Sequence, residues 1–135
     1  FDTGTLAGDL AARHCSIRRT TAALSREYGF TAIAYLQPAV FTKPARSGDE
    51  QRAYDTFSDF QSLFDRAYER IRLEVSACGG APVFDLSRVF EQESRPVFLD
   101  QIHATEDGNR RIADSMMVSL LAALDRSIHL PSLPR

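Results

Sequence analysis

The feature that most constrains the fold is the alternation of long helical segments with short strand-like segments. Apolar residues at helical spacing predict helices over residues 5–28, over residues 50–77 and from residue 105 onward. Between them, residues 30–37 form a short run rich in apolar and β-branched residues, which is typical of a buried strand, and residues 82–86 form a second predicted strand. Helices that alternate with strands are characteristic of proteins with a parallel sheet. We therefore predict an α/β fold.

The number of these segments indicates that the sheet is incomplete. Strands that are buried on both faces need neighbours on either side, and two strands cannot supply them. The apolar stripes of three helices also exceed what two strands can cover. We expect the missing strands to come from an N-terminal segment or from a second chain. We predict that residues 1–126 form part of one domain and that residues 127–135 form an irregular tail.

Composition and charge argue against two kinds of partner. The 135 residues are 44% apolar and 25% charged, which is the balance of one small globular domain. A net charge of −2 gives no basis for binding nucleic acid or an anionic membrane. No apolar run approaches the ~20 residues that a membrane-spanning helix needs. We predict neither a nucleic-acid partner nor a membrane span, and because the chain begins with Phe1 we expect a segment upstream of it.

The two cysteines, Cys15 and Cys78, are far apart in sequence and do not form a Cys-x-x-Cys motif. Isolated cysteines of this kind commonly behave as small buried apolar residues. We therefore favour two unpaired, half-buried thiols over a disulfide.

A short motif near the last helix carries the clearest chemistry. Residues 96–99 are an apolar run that leads to Asp100, His103 follows three residues later, and Thr105 is a natural N-cap for the last helix. A carboxylate close to an imidazole can hold one ring nitrogen as N–H and leave the other free as a base. This spacing is compatible with His103 as a general base toward a serine hydroxyl, oriented by Asp100.

Two other interpretations of the same residues stay open. In the first, His103 is an ordinary histidine near a helix start that makes a local hydrogen bond. In the second, Asp100, His103, Glu106 and Asp107 are metal ligands. The cluster has one histidine, and its last two acids suit the positive end of the helix dipole, so we disfavour the metal interpretation.

The wider context resembles a known family. Asp85-Leu86-Ser87, Phe98-Leu99-Asp100 and residues 103–109 resemble the closing block of the SGNH (GDSL-type) hydrolases, and residues 36–39 resemble the strand end that precedes it. The resemblance implies a flavodoxin-like three-layer sandwich with a parallel sheet, of which this chain supplies only the C-terminal part. It also implies a serine ester hydrolase, an esterase or acyl hydrolase, in which Asp100 and His103 belong to the catalytic triad. The implied substrate is an ester of a lipid, sugar or small alcohol, and no metal or organic cofactor is implied.

The chain departs from the family pattern at the nucleophile. Gly8-Asp9 continues to leucine and Gly48-Asp49 continues to glutamate, so the family's Gly-Asp-Ser motif is absent. The glycine and asparagine of the family's oxyanion hole also have no counterpart, and no serine beside a glycine follows a strand. We expect the nucleophile to lie outside this chain. The alternative function is a non-catalytic α/β binding or assembly module.

Residues 41–49 contain proline, serine, glycine and mixed charge, which predicts a surface loop. The loop follows the first predicted strand at its carboxyl end. We expect it to border the substrate entrance, whose other residues the sequence does not identify.

Overall fold

The computed structural model describes residues 2–128, without the side chains of residue 76 and residues 125–128. The elements in chain order are α1 (Thr3–Tyr28), β1 (Ala34–Leu36), α2 (Gly48–Thr56), α3 (Gln61–Cys78), β2 (Val83–Asp85) and α4 (Glu106–Ile128). Two short 3₁₀ turns cover Val40–Thr42 and Ser58–Phe60.

The sheet consists of β1 and β2, which run parallel with Tyr35 opposite Phe84. The parallel pairing of the two strands is as predicted, but the predicted fold class, an α/β flavodoxin-like three-layer sandwich, is wrong. Between residues 2 and 128 the chain is mostly helical, and its sheet has two strands. Each strand is three residues long, and Pro38, which cannot donate a backbone hydrogen bond, follows β1 closely. Two strands this short cannot form the central layer that a sandwich requires.

Helix α1 packs chiefly on α3. It ends as predicted at Gly29, whose positive φ of 68° favours glycine. The small buried residues Ala7 and Ala11 allow a close approach. Cys15 and Cys78 form a disulfide across this contact, with their Cα atoms 5.8 Å apart. The prediction of two unpaired thiols is therefore wrong, because helix packing brings together two residues that are 63 positions apart and share no local sequence signal.

The buried guanidinium of Arg18 fastens α1 to the end of α3. Its Nε donates to the carbonyl of Ala81 at 2.8 Å, and its Nη1 donates to the carbonyl of Val75 at 3.0 Å. Gly80 crosses the backbone of Arg18 with a φ of 102°, and a Cβ atom there would lie 2.7 Å from the carbonyl carbon of Arg18. This crossing requires glycine.

The single helix predicted over residues 50–77 is instead two helices separated by the turn Ser58–Phe60. Helix α2 begins earlier than predicted, at a capping box formed by Ser47 and Glu50. It ends where Phe57 leaves helical geometry at a φ of −126°. The apolar spacing continues across the break, which explains why periodicity alone did not detect it.

The main apolar core is formed by residues of the segment after β1 and of the segment between β2 and α4. Its buried members are Ala39, Val40, Phe41, Phe90, Val97 and Phe98. Phe90 and Phe98 meet edge to face at 5.3 Å. The prediction of a surface loop over residues 41–49 is therefore wrong at Phe41 and Lys43, which are buried.

Helix α4 begins as predicted, with Thr105 Oγ1 accepting the backbone N–H of Gly108 at 3.1 Å. It packs on β1 through Tyr35, whose hydroxyl lies 3.0 Å from Ser119 Oγ. Helix α4 extends through Ile128, so the first two residues of the predicted tail are helical, and its other residues, 129–135, lie outside the described residues. No helix in the described part of the chain is both long and apolar enough to cross a membrane.

Candidate active site

Residues 97–105 form a tight hairpin before α4. The backbone N–H of Thr105 donates to the carbonyl of Val97 at 2.8 Å, and the N–H of Leu99 donates to the carbonyl of His103 at 2.8 Å. Gly108 packs against this hairpin so closely that a Cβ atom would clash with the Val97 carbonyl. The hairpin places Asp100 and His103 together at its tip.

Both carboxylate oxygens of Asp100 take part in hydrogen bonds. Oδ1 accepts the backbone N–H groups of Ile102 at 2.9 Å and His103 at 2.8 Å, and Oδ2 lies 2.7 Å from Nδ1 of the His103 ring. These donors lower the pKa of Asp100 to about 2; the His103 N–H contributes most, then the Ile102 N–H, then the imidazole. Asp100 is therefore a carboxylate at neutral pH, and Nδ1 of His103 is assigned as its hydrogen-bond donor.

The imidazole of His103 is open to solvent on its other side. Its side chain is 71% exposed, and among the side chains described none forms a hydrogen bond with Nε2. A neutral ring whose Nδ1 carries the proton presents the Nε2 lone pair outward. The pair can therefore accept a proton from a hydroxyl group that approaches the hairpin tip.

The acids that follow the hairpin have another partner. Glu106 and Asp107 form ion pairs with Arg110, at 3.5 and 2.9 Å. Within residues 2–128, no three His, Cys, Asp or Glu side chains are grouped so that they could hold a metal ion. The ligand set considered from the sequence is not assembled there.

Asp85 and Ser87, which form part of the family resemblance, interact with α3 instead of with His103. Asp85 Oδ2 accepts from Nε of Arg72 at 2.7 Å, and Ser87 Oγ lies 2.5 Å from Nη2 of Arg72. Burial would raise the pKa of Asp85, but its hydrogen bonds with Ser87 and Arg72 outweigh this effect and lower it. Because Ser87 is fully buried, its hydroxyl is not available to a substrate.

A buried ion pair that sequence reasoning missed supports the hairpin. The side chains of Lys43 and Glu50 are fully buried and bind each other, and Nζ of Lys43 also donates to the carbonyl of Arg95 at 2.8 Å. Glu50 Oε1 accepts the backbone N–H groups of Val97 at 2.8 Å and Phe98 at 3.1 Å. Glu50 therefore fixes the first strand of the hairpin that carries Asp100.

The ionisation of Glu50 follows from these contacts. Burial would raise its pKa, but the ammonium of Lys43 and the N–H groups of Val97, Ser47 and Phe98 outweigh this effect and lower it. The spacing Ser47-x-x-Glu50 was a capping-box signal that could have identified Glu50. No comparable local signal pointed to Lys43, since its partners, Glu50 and the carbonyl of Arg95, lie 7 and 52 positions away.

An apolar groove of about 280 Å³ adjoins the hairpin. It is lined by Phe41, Phe57, Phe60, Phe64, Gln101 and Ile102. A larger apolar groove of about 380 Å³ lies between α1 and α3, and neither Asp100 nor His103 lines it. In that larger groove, Nδ1 of His14 is buried and forms no hydrogen bond with any described residue, and burial lowers the pKa of His14.

A scan against protein-family models and searches of curated proteins and of solved structures found no match to this chain. The resemblance to the SGNH hydrolases thus remains a prediction made on the quoted residues.

Proposed function

We propose that this chain supplies the general-base part of a serine ester hydrolase, with His103 as the base and Asp100 as the residue that orients it. The observation that carries the proposal is the 2.7 Å contact between Asp100 Oδ2 and His103 Nδ1, combined with an exposed Nε2 to which no described side chain forms a hydrogen bond. This is the arrangement by which a carboxylate holds an imidazole in the tautomer that accepts a serine proton.

The reaction follows from the arrangement. His103 Nε2 takes the proton of a serine hydroxyl while the serine oxygen attacks the ester carbonyl carbon. The carboxylate of Asp100 stabilises the resulting imidazolium through Nδ1–H. The imidazolium then gives its proton to the departing alcohol oxygen, which leaves an acyl-enzyme. Water attacks the acyl carbonyl while Nε2 takes the water proton, and the serine recovers its proton when the acid is released.

The serine and the oxyanion donors are proposed to come from outside these 135 residues. Ser87 belongs to the residues that resemble the family, but its side chain is buried and accepts a hydrogen bond from Arg72. We therefore propose that an N-terminal segment or a second chain places a serine hydroxyl against Nε2 of His103. The substrate is an ester, and the pair itself needs no metal for the proton transfers above.

The test uses the complete product of the gene and 4-nitrophenyl acetate as substrate. We expect ester hydrolysis, labelling of one serine by a fluorophosphonate, and loss of nearly all turnover in His103→Ala. Asp107→Asn is the matched control, because Asp107 lies four residues after His103 but pairs with Arg110. A His103→Ala protein that is folded by circular dichroism and retains wild-type turnover would overturn the proposal.

A non-catalytic binding or assembly module is the second candidate, and one observation favours it. Helix α4 exposes a group of apolar side chains, namely Met117, Val118 and Leu121. Exposed apolar patches commonly mark interaction surfaces. Absence of both fluorophosphonate labelling and ester hydrolysis in the complete gene product would favour this function over the hydrolase.

A further inference from the structure

We propose that the apolar groove beside the hairpin binds an aromatic ring of the ester substrate. The inference rests on the proposed function and names the substrate class of the same site. The groove is lined by Phe41, Phe57, Phe60, Phe64, Gln101 and Ile102, which include four phenylalanines and no charged residue. A lining of this kind favours a neutral, apolar ligand over a charged one.

The groove and the Asp100–His103 pair are built on the same loop. Ile102 lines the groove and directly precedes His103. The preceding residue, Gln101, is fixed twice: its carbonyl accepts the N–H of Val40 at 2.9 Å, and its side chain donates to the carbonyl of Ala53 at 3.2 Å. A ligand in the groove is therefore held at a fixed position relative to the proposed base.

The aromatic rings of the groove are arranged to accept another ring. Phe41 and Phe64, two of the lining residues, stack with their ring centroids 4.3 Å apart. Phe57 and Phe60, tilted against each other at 6.3 Å, remain 41% and 44% exposed. An aromatic ligand would bury these two rings and gain the offset or edge contacts that aromatic pairs prefer.

The volume of the groove limits the size of the ligand. About 280 Å³ lies near the lower end of the roughly 300–1,000 Å³ typical of small-molecule sites. This space suits one ring or two fused rings better than a long acyl chain. The ring can belong to the acyl group or to the alcohol, and the experiment distinguishes the two.

Binding is tested first, with 2-methoxynaphthalene, a neutral ether that cannot be hydrolysed as an ester. The 135 residues contain no tryptophan, so they add no indole background to the naphthalene fluorescence. We expect saturable binding to the complete gene product, weakened about tenfold by Phe60→Ala, which corresponds to the loss of one aromatic contact surface. Leu73→Ala is the matched control, because Leu73 is 64% exposed on α3 but does not line the groove.

His103→Ala separates the two proposals, since it should retain binding of 2-methoxynaphthalene while losing hydrolysis. Binding that is not saturable, or that Phe60→Ala and Leu73→Ala weaken equally, would overturn the groove assignment. The protein could instead bind 2-methoxynaphthalene saturably, with only Phe60→Ala weakening the binding, and yet hydrolyse no ester. That result would support the groove as a ring-binding site and contradict only the hydrolase proposal.

Hydrolysis is tested second, with the isomers 2-naphthyl acetate and methyl 2-naphthoate and with ethyl acetate as the aliphatic comparison. We expect kcat/KM for one or both naphthalene esters to exceed that for ethyl acetate, and Phe60→Ala but not Leu73→Ala to reduce this preference about tenfold. The isomer whose kcat/KM falls more in Phe60→Ala shows whether the ring belongs to the acyl group or the alcohol, because comparing two variants on one ester cancels the intrinsic reactivity of that ester. An equal effect of Phe60→Ala on all three esters would contradict the inference.

Discussion

The carboxylate of Glu50 binds the backbone N–H of Val97 at 2.8 Å in the buried core. This bond links the start of α2 to the hairpin whose tip carries Asp100 and His103. With the counter-charge of Lys43 on its other oxygen, Glu50 serves as an internal support for the candidate site. The support is buried, so it resists competition from solvent.

Breaking this support should destabilise the protein strongly. We expect Glu50→Leu to lower the free energy of unfolding by about 3–5 kcal/mol, because it leaves the Lys43 ammonium buried without its partner. Glu50→Gln should cost less, since its carbonyl oxygen can still accept from Val97 and Phe98, whose unsatisfied N–H groups would each cost about 1–3 kcal/mol. Urea unfolding measures both variants, and hydrogen exchange at the Val97 and Phe98 amides should accelerate more in Glu50→Leu. Equal costs for the two variants would contradict this account.

Asp100→Asn should reverse the tautomer of the neutral His103 ring. Oδ1 of residue 100 accepts two backbone N–H groups, so the asparagine carbonyl should keep that place and turn its NH₂ group toward Nδ1. Nδ1 must then accept, and the proton moves to Nε2. Two-dimensional ¹H–¹⁵N spectra of the ring nitrogens report the change, which Asp107→Asn should not produce. In an active enzyme the same variant should lose on the order of 10⁴ in turnover.

Asp100 should also make stability depend on pH in acid. Its pKa in the folded protein is lowered from 3.8 to about 2. Its contribution to the free energy of unfolding is therefore fully present above pH 3.8 and is lost as the pH falls to about 2. We therefore expect the wild-type advantage in unfolding free energy over Asp100→Asn to shrink as the pH falls from 3.8 to about 2. Urea unfolding at pH 7, 4, 3 and 2 checks it. An advantage that stays unchanged down to the lowest pH would show that the carboxylate has no special stabilisation.

Removing the disulfide should lower stability by about 4 kcal/mol on the loop-entropy estimate, because its two cysteines lie 63 positions apart. The double variant Cys15→Ala/Cys78→Ala should therefore unfold at lower urea concentration than the oxidised protein. Reduction with dithiothreitol should destabilise the wild type and leave the double variant unchanged. Identical unfolding midpoints with and without reductant would argue that the bond contributes nothing.

We expect residues 1–135 alone to self-associate, because helices α1 and α4 expose large apolar side chains. On α4 these include Val118 and Leu121. Val118→Glu/Leu121→Glu should reduce the association, and Asp107→Asn should not. Size-exclusion chromatography with light scattering measures it. A compact wild-type monomer with a sharp unfolding transition would contradict the expectation.

The sequence predicted helix bounds and turn contacts correctly where neighbouring residues carried the signal. Helical spacing and Gly29 predicted α1 within two residues of its bounds, and Thr105 predicted the start of α4. The spacing of Asp100 and His103 predicted their contact, since three residues in a tight turn suffice to bring them together. Their role in catalysis stays a prediction.

Sequence by itself thus determined helix α1, the start of α4, the two strand-forming segments and the Asp100–His103 contact, because each depends on neighbours within a few residues or on apolar periodicity. Only the tertiary structure decided that the sheet stops at two strands among residues 2–128, that Cys15 bonds Cys78, and that Lys43 and Glu50 meet beneath the hairpin. These outcomes depend on which helix faces pack together. An apolar stripe predicts that a helix face is buried, but it does not predict which element packs against that face.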